Sequence, residues 1–335
     1  MKSFRIGLFG LGRVGRTLLR CSFEQTDVEV VALADPAEPE QLAYLVKFDT
    51  LLGRLEEPVR YEAGWLDIGQ RRLRLDAGER AHTADWSSAE IDLLVVAPGR
   101  TVSRAELERE RERGAPRFLL CAPLAEAPDL TLIRGVNDGA LRRHHQVVSV
   151  GSVTANAAIP VLKVLFEAFG LERVFLTSVH AYGTHLRLAD VPSDDPRTGR
   201  AAAENIIPQG TNADELVAEL LPQLQGRVSG IALNVPVPNG SVVDLTCWHP
   251  SAISPSEINR VVEAAANGPL RGILAFETQP IVSSDCQRLP YSGIFDSLST
   301  QVVAGRVSKT LTFYDNAWGY AHRVLEVAKQ MCHVA

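Results

Sequence analysis

Apolar and polar positions along the first forty residues change period twice. Phe4 to Phe9 is an apolar run that ends in glycines, Arg13 to Cys21 has a helical pattern, and Val28 to Leu33 is rich in β-branched residues. The sequence predicts a strand, a tight turn, a helix and a second strand, the βαβ unit. Turn signals at Gly53, Gly64, Gly69 and Gly78 then divide the chain into short pieces, with a small strand expected at Arg72 to Leu75. Ile91 to Ala97 predicts a buried strand stopped by Pro98 and Gly99, and Phe118 to Cys121 and Gln146 to Val150 predict two more. Between them, Arg104 to Arg113 alternates charge sign with Glu and Arg three or four apart, the pattern of an exposed, self-supporting helix. The first 150 or so residues thus read as a parallel sheet with crossover helices.

The pattern changes near Gly151. Asn156 to Phe169 predicts a helix with Ile159, Leu162, Leu165, Phe166 and Phe169 on its apolar positions and Gly170 as its stop. Val174 to Tyr182, Val228 to Val235, Val242 to Trp248 after the turn Pro238-Asn239-Gly240, and two strands within Thr300 to Phe313 predict an antiparallel sheet carrying helices. The fold class expected is α/β, a parallel-sheet domain followed by an α+β domain with an antiparallel sheet. A length of 335 residues suits two such domains.

Composition narrows the partners. Hydrophobic residues make up 46% and charged residues 22%, as in an ordinary globular chain. The 34 Lys and Arg against 40 Asp and Glu leave a net charge of −6, which builds no basic field for nucleic acid or an anionic bilayer. With no apolar stretch of membrane-spanning length and no signal segment, a cytoplasmic protein is expected. Five scattered cysteines, Cys21, Cys121, Cys247, Cys286 and Cys332, argue against a disulfide framework and against a zinc site, so no metal is expected. His144 and His145, beside Arg142 and Arg143, lack a carboxylate or thiol at ligand spacing and read as surface residues.

One motif carries chemistry. Gly10, Gly12 and Gly15 form G-L-G-R-V-G directly after a strand and opening a helix. The first glycine permits the turn, the second lets a pyrophosphate approach the backbone, and the third lets helix pack on strand. Phosphate then meets the N–H groups and dipole of the helix N-terminus. Asp35 ends the second strand about 20 residues on, where a carboxylate accepts from both ribose hydroxyls and repels a 2′-phosphate. A Rossmann-type domain that binds NAD rather than NADP is expected.

Longer stretches carry a resemblance. GLFGLGRVGR, ALADP at 32 to 36, SVGSVTANAAIPVLKVLFEAFG at 149 to 170, SVHAY at 178 to 182, GRAAAENIIPQGT at 199 to 211, VPVPNGSVVDLT at 235 to 246, GPLRGIL at 268 to 274 and YDNAWGY at 314 to 320 resemble the glyceraldehyde-3-phosphate dehydrogenase family, in its order across essentially the whole chain. The resemblance implies an NAD-binding domain at 1–151 with the C-terminal helix of 316–335 returning to it, and a catalytic-type domain at 152–315. It also implies a homotetramer with a long loop at about 181 to 203. By the same carry-over Arg13 and Val14 lie at the pyrophosphate, Asp35 and Pro36 at the adenosine, and Cys121, Asn316 and Tyr320 on the cofactor side, with Asn316 on the nicotinamide carboxamide. Ser152, Thr154, Thr211 and Arg200 are the implied substrate residues, and His180 the implied base.

The chain also departs from the family. Its members oxidise an aldehyde through a cysteine thiolate, a thiohemiacetal and a thioester, with a histidine as base. The motif S-C-T-T-N-C is here Ser152-Val153-Thr154-Ala155-Asn156-Ala157, which puts valine at the nucleophile position. The arginine before V-P-T-P is Asn234, the threonine three residues after the histidine is Gly183, a polar or acidic position two further on is His185, and the glycine after Thr211 is Asn212. On the cofactor side Phe9 replaces asparagine, Ala97-Pro98-Gly99 replaces E-S-T-G, and Ala317 replaces glutamate. Cys121 replaces a serine and reads as a small buried residue at a strand end ahead of a relocated nucleophile.

Two functions stay open. One is hydride transfer between NAD and a small carbonyl or alcohol other than a triose phosphate, with His180 as acid or base. The other is an inactive pseudoenzyme that senses NAD or assembles with a partner, His180 then being a relic held by its neighbours.

Overall fold

The computed structural model describes residues 3–184 and 186–334, so His185 lies outside the described residues. The chain divides into two compact units: one comprises residues up to Leu132, Asp138–Gly151 and Ala321 onward, and the other Ile133–Asn137 and Ser152–Tyr320. Two segments expected with the first unit thus belong with the second. The loop 133–137 is held there because Lys163 donates to the Val136 carbonyl at 2.9 Å. Residues 316–320 follow because Asn316 is bonded to Asn239 and Ser241.

In chain order the first unit contains β1 (Phe4–Phe9), α1 (Arg13–Ser22), β2 (Val28–Asp35), α2 (Pro39–Lys47), β3 (Val59–Glu62), β4 (Trp65–Ile68), β5 (Arg71–Ala77), β6 (Leu93–Val96), α3 (Arg104–Glu112), β7 (Phe118–Leu120), β8 (Leu130–Thr131) and β9 (Val147–Ser149). Its sheet runs β8-β9-β7-β6-β1-β2-β5-β4-β3. The strands from β8 to β5 are parallel, and β4 and β3 add an antiparallel edge. After β1 and β2 the chain returns to the other side of β1, so the order reverses there and the carboxyl end of β1 is the place where such sheets bind ligands. Trp86, Ile91, Leu94, Val96, Phe118 and Leu120 form the core of one face. The charged helix α3 buries only Leu107 and starts with a capping box between Ser103 and Glu106, which explains its stability despite its polarity.

The second unit contains α4 (Val153–Phe169), β10 (Arg173–Ala181), β11 (Ile207–Gln209), α5 (Ala213–Leu220), β12 (Val228–Val235), β13 (Ser241–Trp248), α6 (Pro255–Asn267), β14 (Leu274–Glu277), β15 (Gly293–Val303) and β16 (Val307–Tyr314). Its sheet order is β11-β12-β10-β13-β16-β15-β14. This sheet is mixed rather than antiparallel throughout, because β10 pairs with β12 and β14 with β15 in parallel. Ile159, Leu162 and Leu165 of α4, Val217 of α5 and Ile258 and Val262 of α6 pack on Leu176, Val243, Leu245 and Phe295 of the sheet. The first turn of α4 lies three residues earlier than its apolar pattern predicts, since the Ser152 hydroxyl accepts from the Ala155 N–H and caps it.

The last helix, α7 (Trp318–His333), begins two residues later than expected and belongs to the first unit from Ala321 onward. There Lys329 pairs with Asp27 at 2.7 Å and the buried Arg117 donates to the Met331 carbonyl at 2.6 Å.

Among the described residues no helix is long and apolar enough to cross a membrane. Deep in the second unit, His249 spans Gly170 and Ser308: its Nδ1–H donates to the Gly170 carbonyl at 3.0 Å and its Nε2 accepts from the Ser308 hydroxyl at 2.8 Å. Burial disfavours the imidazolium and holds the His249 pKa below its ordinary value of 6.5, despite the opposing pull of the Gly170 carbonyl. The unfolded chain therefore binds this proton more readily than the folded one. Stability is whole above about pH 6.5 and is lost as pH falls from there through the lower folded value. Denaturant unfolding at about pH 7.5 and about pH 5.5 is expected to show lower stability at the acid value, and His249→Gln to shrink the difference.

Candidate functional site

In the first unit the three glycines do three different things. Gly10 sits at φ +102°, and a Cβ there would lie 2.3 Å from the Ala97 carbonyl oxygen, so the turn after β1 admits no side chain. Gly15 brings α1 against the turn, since a Cβ on it would lie 2.0 Å from the Gly10 carbonyl oxygen. Gly12 differs from both: it is the N-cap of α1, no side chain caps that helix, and a Cβ there would meet nothing within 4 Å. The helix N-terminus, uncapped by any side chain, therefore lies beside open space, which suits an anion.

Asp35, at the end of β2, stands over this turn. One carboxylate oxygen accepts from the Leu11 N–H at 2.7 Å and the other from the Ala37 N–H at 2.9 Å. A carboxylate has about four lone-pair positions, so hydroxyl donors can add to those already bound. Arg13 and Val14 are half-buried on the first turn of α1, and Pro36 is exposed. Arg16 is a residue the sequence reading missed. Its guanidinium donates to the Leu11 carbonyl at 3.0 Å and pairs with Asp49 at 3.0 Å, tying the turn to the segment after α2. Burial raises the Asp49 pKa, but the N–H groups of Leu52 and Leu51 and the Arg16 guanidinium outweigh it and hold the carboxyl below its usual value. Cys121 follows β7, half-buried, with its N–H on the Val96 carbonyl.

In the second unit the residues of interest surround the start of α4 and the ends of β10 and β16. Tyr314, fully buried, shares its hydroxyl with Ser178 at 2.9 Å and with Thr154 at 3.0 Å. The His180 ring lies edge-on to it, with centroids 6.1 Å apart. His180 Nδ1 is 2.6 Å from the Ala181 carbonyl oxygen and 3.3 Å from the Asn316 side-chain amide. Ser241 lies 2.7 Å from that same amide and accepts the Ala181 N–H at 2.9 Å. His180, Asn316 and Thr154 are thus drawn into one polar cluster. Tyr320 is buried in the first turns of α7.

The remaining implied substrate residues are engaged elsewhere. Ser152 caps α4, Thr211 accepts from the Ala213 N–H at 3.2 Å at the start of α5, and Arg200 is exposed and paired with Asp190 at 2.9 Å. Asn234, buried, donates to the Gln209 side chain at 2.9 Å. Val153 is the first residue of α4 and packs, half-buried, against the core. Among the described residues no three His, Cys, Asp or Glu converge as a metal site.

Residues 152–316 match the family model of the glyceraldehyde 3-phosphate dehydrogenase C-terminal domain, and residues 4–104 that of its NAD binding domain. The glyceraldehyde-3-phosphate dehydrogenase of Kitasatospora aureofaciens is 40% identical over 324 residues, covering 96% of this chain and 97% of its own. That of Geobacillus stearothermophilus is 38% identical over 325 residues, 97% of each chain. The chain belongs to the glyceraldehyde-3-phosphate dehydrogenase family. The enzyme of the same name from Mycobacterium leprae is similar to it as well, 38% identical over 330 residues.

Membership in the glyceraldehyde-3-phosphate dehydrogenase family makes this an NAD-binding protein of an oxidoreductase family, with NAD as its cofactor. The first unit fits that cofactor: open backbone at Gly12, the close approach of Gly15, and a carboxylate at Asp35 with acceptor capacity left. Gly12→Ala is expected to fold normally, because its backbone suits any residue, yet to weaken NAD binding about tenfold or more by filling the approach to the helix N-terminus. Gly15→Ala is expected instead to cost about 1–3 kcal/mol of stability through overpacking. Calorimetric titration with NAD and thermal unfolding separate the two.

Proposed function

We propose that the chain transfers hydride between NAD and a small uncharged carbonyl or alcohol without a covalent intermediate, having lost the thiol chemistry of its family. The carrying observation is Val153 at the first position of α4. A thioester route needs a thiolate at this helix N-terminus, and valine offers no lone pair. Three of the other thiols are poor substitutes: burial pushes Cys247 and Cys286 up to about 12 and Cys332 up to about 11, where the thiolate is scarce near neutrality.

The substrate class follows from the polar groups near α4. Arg200 is exposed and beside Asp190, Asn234 stands where the family has an arginine, and Thr154 is turned inward to Tyr314. A bidentate guanidinium is the strong means of holding phosphate, and its loss favours a neutral substrate. NAD when bound supplies the hydride donor or acceptor. His180 takes the proton from an alcohol oxygen, or returns it to a carbonyl oxygen, as hydride moves.

Exposed apolar residues support self-association. Phe175 is 54% and Ile231 44% exposed on the second sheet, with Trp248 edge-on to Phe175 at 5.7 Å. A homo-oligomer, a tetramer by resemblance to the family, would cover them, and the absence of disulfides among the five cysteines suits a cytoplasmic setting. The second reading, a pseudoenzyme kept for NAD sensing or assembly, draws on Val153 and on the same exposed face.

Incubation with NADH and a panel of neutral aldehydes and ketones is expected to show turnover that His180→Ala lowers by about 10² to 10⁴. Turnover unchanged in that variant would remove His180 from the chemistry, and no turnover on any substrate would favour the pseudoenzyme. Oxidation of glyceraldehyde 3-phosphate with Val153 in place would sink both. Light scattering on a sizing column is expected to give a mass above that of one chain, and Phe175→Asp to lower it.

A further inference from the structure

Two hydrogen bonds at one nitrogen of His180 conflict. Nδ1 lies 2.6 Å from the Ala181 carbonyl oxygen and 3.3 Å from the atom assigned as Asn316 Nδ2. A carbonyl oxygen only accepts, so at 2.6 Å Nδ1 must carry a proton; otherwise two lone pairs would face each other. A protonated Nδ1 cannot accept from an amide N–H.

The two ends of an asparagine amide are told apart only by the bonds they make. Turning the Asn316 amide over resolves the conflict: its Oδ1 then accepts from Nδ1–H, and its N–H₂ faces Ser241 Oγ across the 2.7 Å contact. Ser241 suits this arrangement. Its oxygen already accepts the Ala181 N–H at 2.9 Å and has a second lone pair for the Asn316 amide. Its own O–H is then left as a donor.

The geometry points to His180 locked as the Nδ1–H tautomer between two oxygens, Ala181 O and Asn316 Oδ1, with Ser241 as the positioning residue that fixes both. The neutral imidazole then keeps its lone pair on Nε2, the atom that takes up the proton. The two oxygens remain acceptors for Nδ1–H in the imidazolium and steady it. Among the described residues Tyr314 on β16 lies edge-on to the ring, and Asp315, the residue before Asn316, has its oxygens held by Asn239, Arg288, Ala317 and Trp318. The use of Nε2 in catalysis rests on the hydride-transfer reading; the tautomer does not.

The test is nitrogen NMR on the full chain labelled with ¹⁵N-histidine, without NAD or substrate, with the His180 signals identified by their loss in His180→Gln. The result expected is a protonated Nδ1 and an unprotonated Nε2; the opposite tautomer overturns the inference. Asn316→Asp keeps an oxygen facing Nδ1 and is expected to retain the tautomer and raise the His180 pKa by about one unit or more. An unchanged or lower pKa there refutes the acceptor role of Asn316. Ser241→Ala is expected to give a mixture of tautomers while the His249 and His322 signals stay in place, and a wild-type His180 spectrum in that variant refutes the positioning role. Spectra as expected together with no turnover leave the tautomer standing and remove only the catalytic reading.

Discussion

A buried carboxylate needs donors, and in the second unit Asp315 gathers four. With 3% of its surface exposed, it accepts from Ala317 and Trp318 N–H at 2.7 Å and from Arg288 N–H and the Asn239 side chain at 2.9 Å. Those four bonds join the end of β16, the start of α7, the loop after Cys286 and the turn before β13 at one point. Asn316 is consequently set with its N–H on the Asn239 side chain at 3.1 Å, and Asn316 in turn meets His180. Leaving any one donor unmatched would carry the desolvation cost of a buried polar group, about 1–3 kcal/mol, so the arrangement resists partial change.

Around this point the polar side chains satisfy one another. Thr154, Ser178 and Tyr314 share hydroxyl protons and Asn234 holds Gln209, while Arg200 holds Asp190 on the exposed loop. Most of these are neutral pairs, and the charged one is on the surface, where it contributes little to stability. The buried pairs beside Tyr314 are thus neutral.

What the sequence disclosed depended on how local each cause was. The turn after β1, its three glycines and Asp35 were legible, because an apolar run followed by G-x-G-x-x-G is governed by neighbouring residues. Short-range signals were also present and unread: Pro39 opens α2, and Ser254 with Glu257 forms the capping box of α6. The first turn of α4 was misjudged because Val153 and Thr154 are weak helix formers and only the Ser152 cap marks the start. The parallel pairing of β10 with β12 joins Val174 to Val228, a register set by tertiary packing that no local pattern encodes. The links from Ser241 to Asn316 and from Asn239 to Asp315 span 75 and 76 positions. Ordinary polar residues at such separations give no motif, so the surroundings of His180 became visible only in three dimensions.

The two backbone bonds made by Asp35 bear on how readily cofactor choice could evolve or be re-engineered. The carboxylate that the sequence pattern marks as the one to disfavour a 2′-phosphate also pins Leu11 inside the glycine turn and Ala37 beyond the strand. Exchanging it to admit NADP would remove two structural anchors along with the charge. A lineage shifting its cofactor would first have to brace the turn by other means, and Arg16, already on the Leu11 carbonyl, is the neighbour from which such a brace could grow.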